Sequence, residues 1–292
     1  MLLILLVHTS VLAQFTPLTS FSDNPGELTA SYYLPKESTN NLVVLLHGCV
    51  QNGEKLAEQS GFLGLAQTND FTLLIPQQNK TNNIKTCFNW FSTQDIEKDQ
   101  GEVLSLKNMI LAVKKKTKSN NVFIAGISAG GAMTHVMLVH YPALFESAAI
   151  IAGIPFPCAD NLIKAISCMR NGPSQTTNDL IQLVNRVNST TPNWPNLTIW
   201  TGTADNIVNP LNSITLAQQW AGLKNLNTAP VITQYSGYQT KRWQNNEKQN
   251  VIELVMIDGL DHGISVNSTV KNGGKSAPFL LESPISAAVN IV

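Results

Sequence analysis

The sequence predicts an α/β fold, a largely parallel sheet with helices on both faces, and three observations carry that prediction. Short β-branched apolar runs alternate along the chain with segments of helical period. The runs are continuously apolar rather than alternating, as in strands covered on both faces. The segments between them are long enough for the crossover helices that parallel strands require.

Taken in order, residues 28–33 alternate weakly and form a first strand. Residues 42–46 (Leu-Val-Val-Leu-Leu) form a buried strand ending at His47-Gly48. Residues 54–67 carry apolar residues at helical spacing, and 71–75 form a second buried strand closed by Pro76. Residues 77–95 are polar and irregular apart from Phe88-Asn89-Trp90-Phe91. Over 102–116, Val103, Leu106, Ile110 and Val113 share one helical face, with lysines at the end where the helix dipole favours cations. Residues 122–125 form a strand that runs through Gly126 into a helix over 129–141, stopped by Pro142. A strand over 148–152 follows, then helix, loop and helix over 160–193. Strand 197–200, helix 212–223 and strand 251–257 complete the reading. No repeat, low-complexity tract or Pro/Gly/Ser-rich linker interrupts the pattern.

Of the 292 residues 43% are hydrophobic and 13% charged, so a sizeable core is available and disorder is excluded. A formal net charge of zero gives no basic excess for nucleic acid or an anionic membrane. Residues 1–13 have the apolar stretch and small-residue end of a secretory signal peptide, although no Lys or Arg follows Met1. The expectation is therefore an extracytoplasmic protein, secreted or periplasmic, with one domain over 14–292. No later apolar run reaches the length of a membrane-spanning helix. Cys49, Cys87, Cys158 and Cys168 suit disulfides in an exported chain; their spacing allows three pairings and matches no zinc motif.

Gly126-Ile127-Ser128-Ala129-Gly130 is the chemical centre of the sequence. A Gly-x-Ser-x-Gly pentapeptide is moderately specific alone. Here it follows a buried strand and opens a helix, the context of a nucleophile elbow. The turn is tight, so the flanking positions must be small, and Gly126, Gly130 and Gly131 meet that need. The competing reading is a serine that merely caps a helix.

A serine hydroxyl needs a base. His8 lies in the leader, His47 precedes the nucleophile, and His135 and His140 sit in the helix after the elbow. His262, late and in a loop after a strand, is the candidate base. The acid should end a strand between Ser128 and His262, which selects Asp205 to fix the imidazole tautomer. Asp258 and Asp261 are rivals beside His262, Asp160 and Asp179 fit less well, and Asp205 could instead close an Asx turn. Oxyanion stabilisation calls for two amides, that of Ala129 and that of Cys49 after the strand ending in His47-Gly48; otherwise His47-Gly48 is a turn with a packed histidine. Phe88, Trp90 and Phe91 either wall the substrate pocket or form a satellite core.

These motifs, with Cys87-Phe88-Asn89-Trp90-Phe91, Gly101-Glu102, Ile151-Ala152-Gly153-Ile154-Pro155, Cys168-Met169, Trp200-Thr201-Gly202-Thr203-Ala204-Asp205 and His262-Gly263, resemble the polyhydroxybutyrate-depolymerase family of esterases, which includes feruloyl-esterase-like members. The resemblance runs from about Leu42 to Leu281. It implies an α/β-hydrolase fold and hydrolysis of carboxylic esters by Ser128, Asp205 and His262, with Cys49 and Ala129 as oxyanion donors and no metal or organic cofactor. It also implies Cys49–Cys87 and Cys158–Cys168 disulfides. The sequence departs from the family at Lys98-Asp99-Gln100, where an Arg-Gly pair is usual before Gly-Glu, and at Asp261, usually Gly. The implied partner is an ester substrate: a poly- or oligo-hydroxyalkanoate first, a feruloyl or acetyl ester of plant polysaccharide second. A non-catalytic binding protein of the same fold is a third reading.

Overall fold

The computed structural model describes residues 15–37, 39–188 and 193–292. The expected leader over 1–13 lies outside the described residues. The strands are β1 (Thr16–Pro17), β2 (Thr29–Tyr33), β3 (Asn41–Leu46), β4 (Thr72–Gln77), β5 (Asn121–Ile127), β6 (Ser147–Ile151), β7 (Asn196–Gly202), β8 (Val231–Tyr235), β9 (Tyr238–Gln244), β10 (Asn250–Ile257), β11 (Ile264–Val266) and β12 (Leu280–Glu282). The helices are α1 (Gly53–Ser60), α2 (Phe62–Thr68), α3 (Thr93–Ile96), α4 (Gly101–Thr117), α5 (Ala129–His140), α6 (Leu162–Asn171), α7 (Thr177–Val187), α8 (Leu211–Leu223) and α9 (Ala287–Ile291).

The main sheet runs β1-β2-β4-β3-β5-β6-β7-β10-β9-β8. Its centre, β4 through β10 in that order, is parallel, and both flanks are antiparallel. Successive side chains of β3 serve opposite faces, as the strand pleat requires. Leu42, Val44 and Leu46 join a core with Met109 of α4, Met133 of α5 and Trp220 of α8. Val43 and Leu45 join another with Phe62 and Ala66 of α2 and Ala287 of α9.

Two registers decide where the functional loops emerge. Leu46 pairs with Gly126, so the chain leaves β3 and β5 side by side. Gly202 pairs with Ile257, so it leaves β7 and β10 side by side. All four exits lie at the carboxyl edge of the parallel strands, where open α/β sheets place their sites.

The structure corrects several boundaries. Helix 54–67 is two helices, broken at Gly61, whose φ of 98° leaves the helical region. Pro76 does not close its strand: β4 runs to Gln77, with Pro76 paired to Ala30 of β2 beyond the end of the β3 ladder at Leu74. The β8–β9 hairpin gave no sequence signal, since β8 is largely exposed and β9 buries Thr240 and Trp243 out of strand period.

Candidate active site

Ser128 sits between β5 and α5 with φ 55° and ψ −120°. A positive φ is costly for a residue with a Cβ and persists only where neighbours enforce it. The Ser128 amide donates to Ile151 O at 2.9 Å, tying the turn to the end of β6. The flanking glycines are sterically required. A Cβ on Gly126 would stand 2.3 Å from Gly130 O, and one on Gly130 would stand 2.4 Å from Leu46 O. The same closeness brings the β3 loop to Ser128, where a Cβ on Gly48 would lie 3.3 Å from Ser128 Cβ.

Asp205 and His262 meet across the ends of β7 and β10. His262 Nδ1 lies 2.8 Å from Asp205 Oδ2, and both side chains are buried. Asp205 Oδ1 accepts from the amides of Ile207 (2.9 Å) and Val208 (2.8 Å). The Asx turn considered as an alternative role is therefore also present, on the other carboxylate oxygen. With Oδ2 as acceptor, Nδ1 carries the proton and Nε2 is left as the basic atom. The two loops are knit together: Thr203 N donates to Ile257 O (2.9 Å) and Ala204 N to Leu260 O (3.0 Å). Among the described residues no hydrogen bond joins Ser128 Oγ to His262.

The rival acids have other work. Asp261 Oδ1 accepts from Asn206 N (3.1 Å) and His262 N (2.7 Å), bridging the Asp205 and His262 loops from an exposed position. The Asn206 amide is the chief reason its carboxyl is held below the usual range. Asp160 pairs with Lys164, and Asp179 closes the capping box of α7. His135 and His140 are buried in α5, where burial lowers each to a pKa of about 4.

Cys49 and Cys87 are disulfide-bonded, as are Cys158 and Cys168, the pairs implied by the family resemblance. Gly48 N donates to Gln51 Oε1 at 2.7 Å, and Val50 N to Lys85 O at 2.7 Å, so the amides on both sides of Cys49 are anchored. His47 is wholly buried, its pKa lowered to about 4 by burial, and its Nδ1 lies 2.7 Å from Gly48 O.

Of the two readings of the aromatic cluster, Phe88 and Trp90 follow the core one. Phe88 is 0% exposed and packs on the His47 ring at 5.0 Å, so it walls no pocket. Trp90 is 9% exposed and belongs to the same core, with Phe91 edge-on to it at 5.5 Å and only partly buried. Cys49, Cys87 and Phe91, partly buried, pack against the core that holds Phe88 and Trp90. Phe279, edge-on to His262 at 6.1 Å, was not foreseen, because it lies outside every periodic segment.

A family model described as esterase PHB depolymerase matches residues 28–236. The chain is 33% identical over 299 residues to poly(3-hydroxyalkanoate) depolymerase C of Paucimonas lemoignei, spanning 99% of this chain and 72% of that protein. It is 26% identical over 264 residues to acetylxylan esterase A of Aspergillus oryzae, 86% of this chain and 84% of that one. Among solved structures it resembles an acetyl xylan esterase from Aspergillus awamori with a TM-score of 0.77 and 22% identity, over 85% of this chain and 94% of that one. The extent of the family match and the near-complete alignment agree with the fold and the elbow, and the chain belongs to the polyhydroxybutyrate-depolymerase family of esterases, carboxylic ester hydrolases of the α/β-hydrolase fold.

Proposed function

We propose that the protein is a secreted serine esterase that cleaves the ester bonds of hydroxyalkanoate oligomers or polyesters through an acyl-enzyme on Ser128. The buried Asp205–His262 pair at 2.8 Å, one sheet edge with the Ser128 elbow, is the observation that carries this reading. His262 Nε2 takes the proton of Ser128 Oγ as the hydroxyl attacks the ester carbonyl. Asp205 keeps the imidazole in its Nδ1–H form and stabilises the imidazolium. The Cys49 and Ala129 amides hold the oxyanion. His262 returns the proton to the leaving alkoxide, then activates the water that releases the acid.

The hydroxyalkanoate substrate is supported by the relative from Paucimonas lemoignei, whose alignment covers nearly the whole chain. The likeness to acetylxylan esterase A favours a second reading, an acetyl or feruloyl ester of plant polysaccharide. Export is supported by the two disulfides and by the leader-like composition of residues 1–13.

The experiment compares wild type and Ser128→Ala on p-nitrophenyl butyrate, hydroxybutyrate oligomers, acetylated xylan and methyl ferulate. Wild type is expected to favour the hydroxybutyrate oligomers in kcat/KM, and Ser128→Ala to lose activity on every ester while melting as wild type does. Turnover retained by Ser128→Ala refutes the nucleophile; a preference for acetylated xylan or methyl ferulate refutes the substrate class.

A further inference from the structure

Glu102, in the first turn of α4, is wholly buried and is not needed to explain the acid–base chemistry. Its carboxylate is surrounded by donors. Oε1 accepts from Gln78 Nε2 at 2.5 Å and Asn89 Nδ2 at 2.8 Å; Oε2 accepts from Asn89 N at 2.9 Å. Gln78 is the junction. Its side chain also donates to Cys87 O at 3.2 Å, and its backbone N–H donates to His47 Nε2 at 3.1 Å. As acceptor at Nε2, the neutral His47 ring carries its proton on Nδ1 and donates it to Gly48 O at 2.7 Å.

The path ends on a particular peptide. Gly48 C=O and Cys49 N–H belong to one planar trans unit, so they point in opposite directions. Fixing Gly48 O toward His47 fixes the aim of the Cys49 N–H, and Gly48 itself lies against Ser128. The disulfide to Cys87 holds the other side of the same residue, and the Cys87 carbonyl is bonded to Gln78 as well.

We propose that Glu102 is a positioning residue for ester hydrolysis: through Gln78 and His47 its carboxylate orients the Gly48–Cys49 peptide so that the Cys49 N–H meets the oxyanion. This rests on the reading of Cys49 as an oxyanion donor given above. A preorganised donor stabilises the transition state far more than the bound ester, so its alignment acts on kcat rather than KM.

The arrangement has a titration of its own. Burial, with a smaller like-charge contribution from Asp95 on α3, pushes the Glu102 carboxyl up to about 8. The groups facing it from the loop after β4 are the neutral amides of Gln78 and Asn89, and Gly26 presents only backbone. Protonation removes the negative charge that draws the N–H groups of Gln78 and Asn89, so it weakens the hold on Gln78.

The test measures kcat, KM and the affinity of a trifluoromethyl ketone, a mimic of the tetrahedral oxyanion, for wild type, Glu102→Gln and Ser128→Ala from about pH 6 to about pH 9. Expected for Glu102→Gln is a loss of roughly 10- to 100-fold in kcat, below the full loss of an oxyanion donor, with a parallel loss in ketone affinity and little change in KM. Wild type should also gain kcat and ketone affinity through about pH 8, a limb missing from the variant. Wild-type kcat and ketone affinity in Glu102→Gln, or a loss confined to KM, overturns the proposal while inactive Ser128→Ala upholds the esterase reading. Activity in Ser128→Ala removes that reading and the proposal with it. Should Glu102→Gln fail to fold, Gln78→Met takes its place, since it cuts the side-chain link from Glu102, and wild-type kcat and ketone affinity in that variant overturn the proposal.

Discussion

Asp205 divides its carboxylate between two tasks. Oδ1 closes a turn through the amides of Ile207 and Val208, and Oδ2 faces His262 Nδ1. The two can be separated. In Asp205→Asn the carboxamide oxygen can keep the turn, while its NH₂ confronts Nδ1 and forces the proton to Nε2. The expected outcome is a fall in kcat of roughly 10⁴-fold with KM and melting temperature nearly unchanged, measured on p-nitrophenyl butyrate. Activity near wild type would show that Asp205 closes only a turn. At this scale the candidate triad was readable because each member is a reactive residue type at the end of an apolar run. The positioning residues were not. Gln78 stands in a polar stretch, and an acid in the first turn of a helix, as Glu102 is, reads equally well as a partner of the helix dipole.

The elbow depends on how closely β3, β5 and α5 approach one another. A methyl on Gly130 would meet both Leu46 O (2.4 Å) and His47 O (2.5 Å), which are backbone atoms with no room to yield. Gly130→Ala should therefore cost about 1–3 kcal/mol of stability, as overpacking does. It should also lower kcat, because α5 follows Ser128 on one side of that contact and the loop proposed to hold the oxyanion, Gly48–Cys49, follows on the other. Urea denaturation and kcat on one preparation check both, and unchanged values would show that the elbow tolerates a Cβ. Buried strands were legible because their apolar runs are continuous. The Gly61 break was not, because a glycine inside a helical pattern is compatible with continuation until φ is known. The β8–β9 hairpin was not, because strands at the sheet edge bury little and need no apolar stripe.

Across the whole molecule, buried titratable groups set the pH range of stability. His47, His135 and His140 each have a folded pKa of about 4, well below the ordinary value of 6.5, because burial disfavours the imidazolium. The unfolded chain binds more protons at these sites, so stability is lost as pH falls from about 6.5 toward about 4. Glu102 acts in the opposite sense. Its folded pKa of about 8 exceeds the ordinary value of 4.5, so its contribution declines as pH rises from about 4.5 to about 8. Where the windows overlap, three histidines outweigh one acid. The urea midpoint should peak near pH 6.5 and fall on both sides, and Glu102→Gln should flatten the alkaline side. A midpoint constant from about pH 6.5 to about pH 8 in wild type would contradict this.

The sequence by itself determined the α/β class, the strand–elbow–helix around Ser128 and the order of Ser128, Asp205 and His262, because apolar periodicity and small-residue spacing are local properties of the chain. Tertiary structure decided which side chains meet. The register of β7 against β10 brings Asp205 to His262, although 57 positions separate them. The register of β3 against β5 brings Gly48 to Ser128. Packing decided between pocket wall and core for Phe88, in favour of core, and buried Glu102 among three donors. Long-range contacts of this kind follow from strand pairing and burial, neither of which a residue's own neighbours in sequence specify.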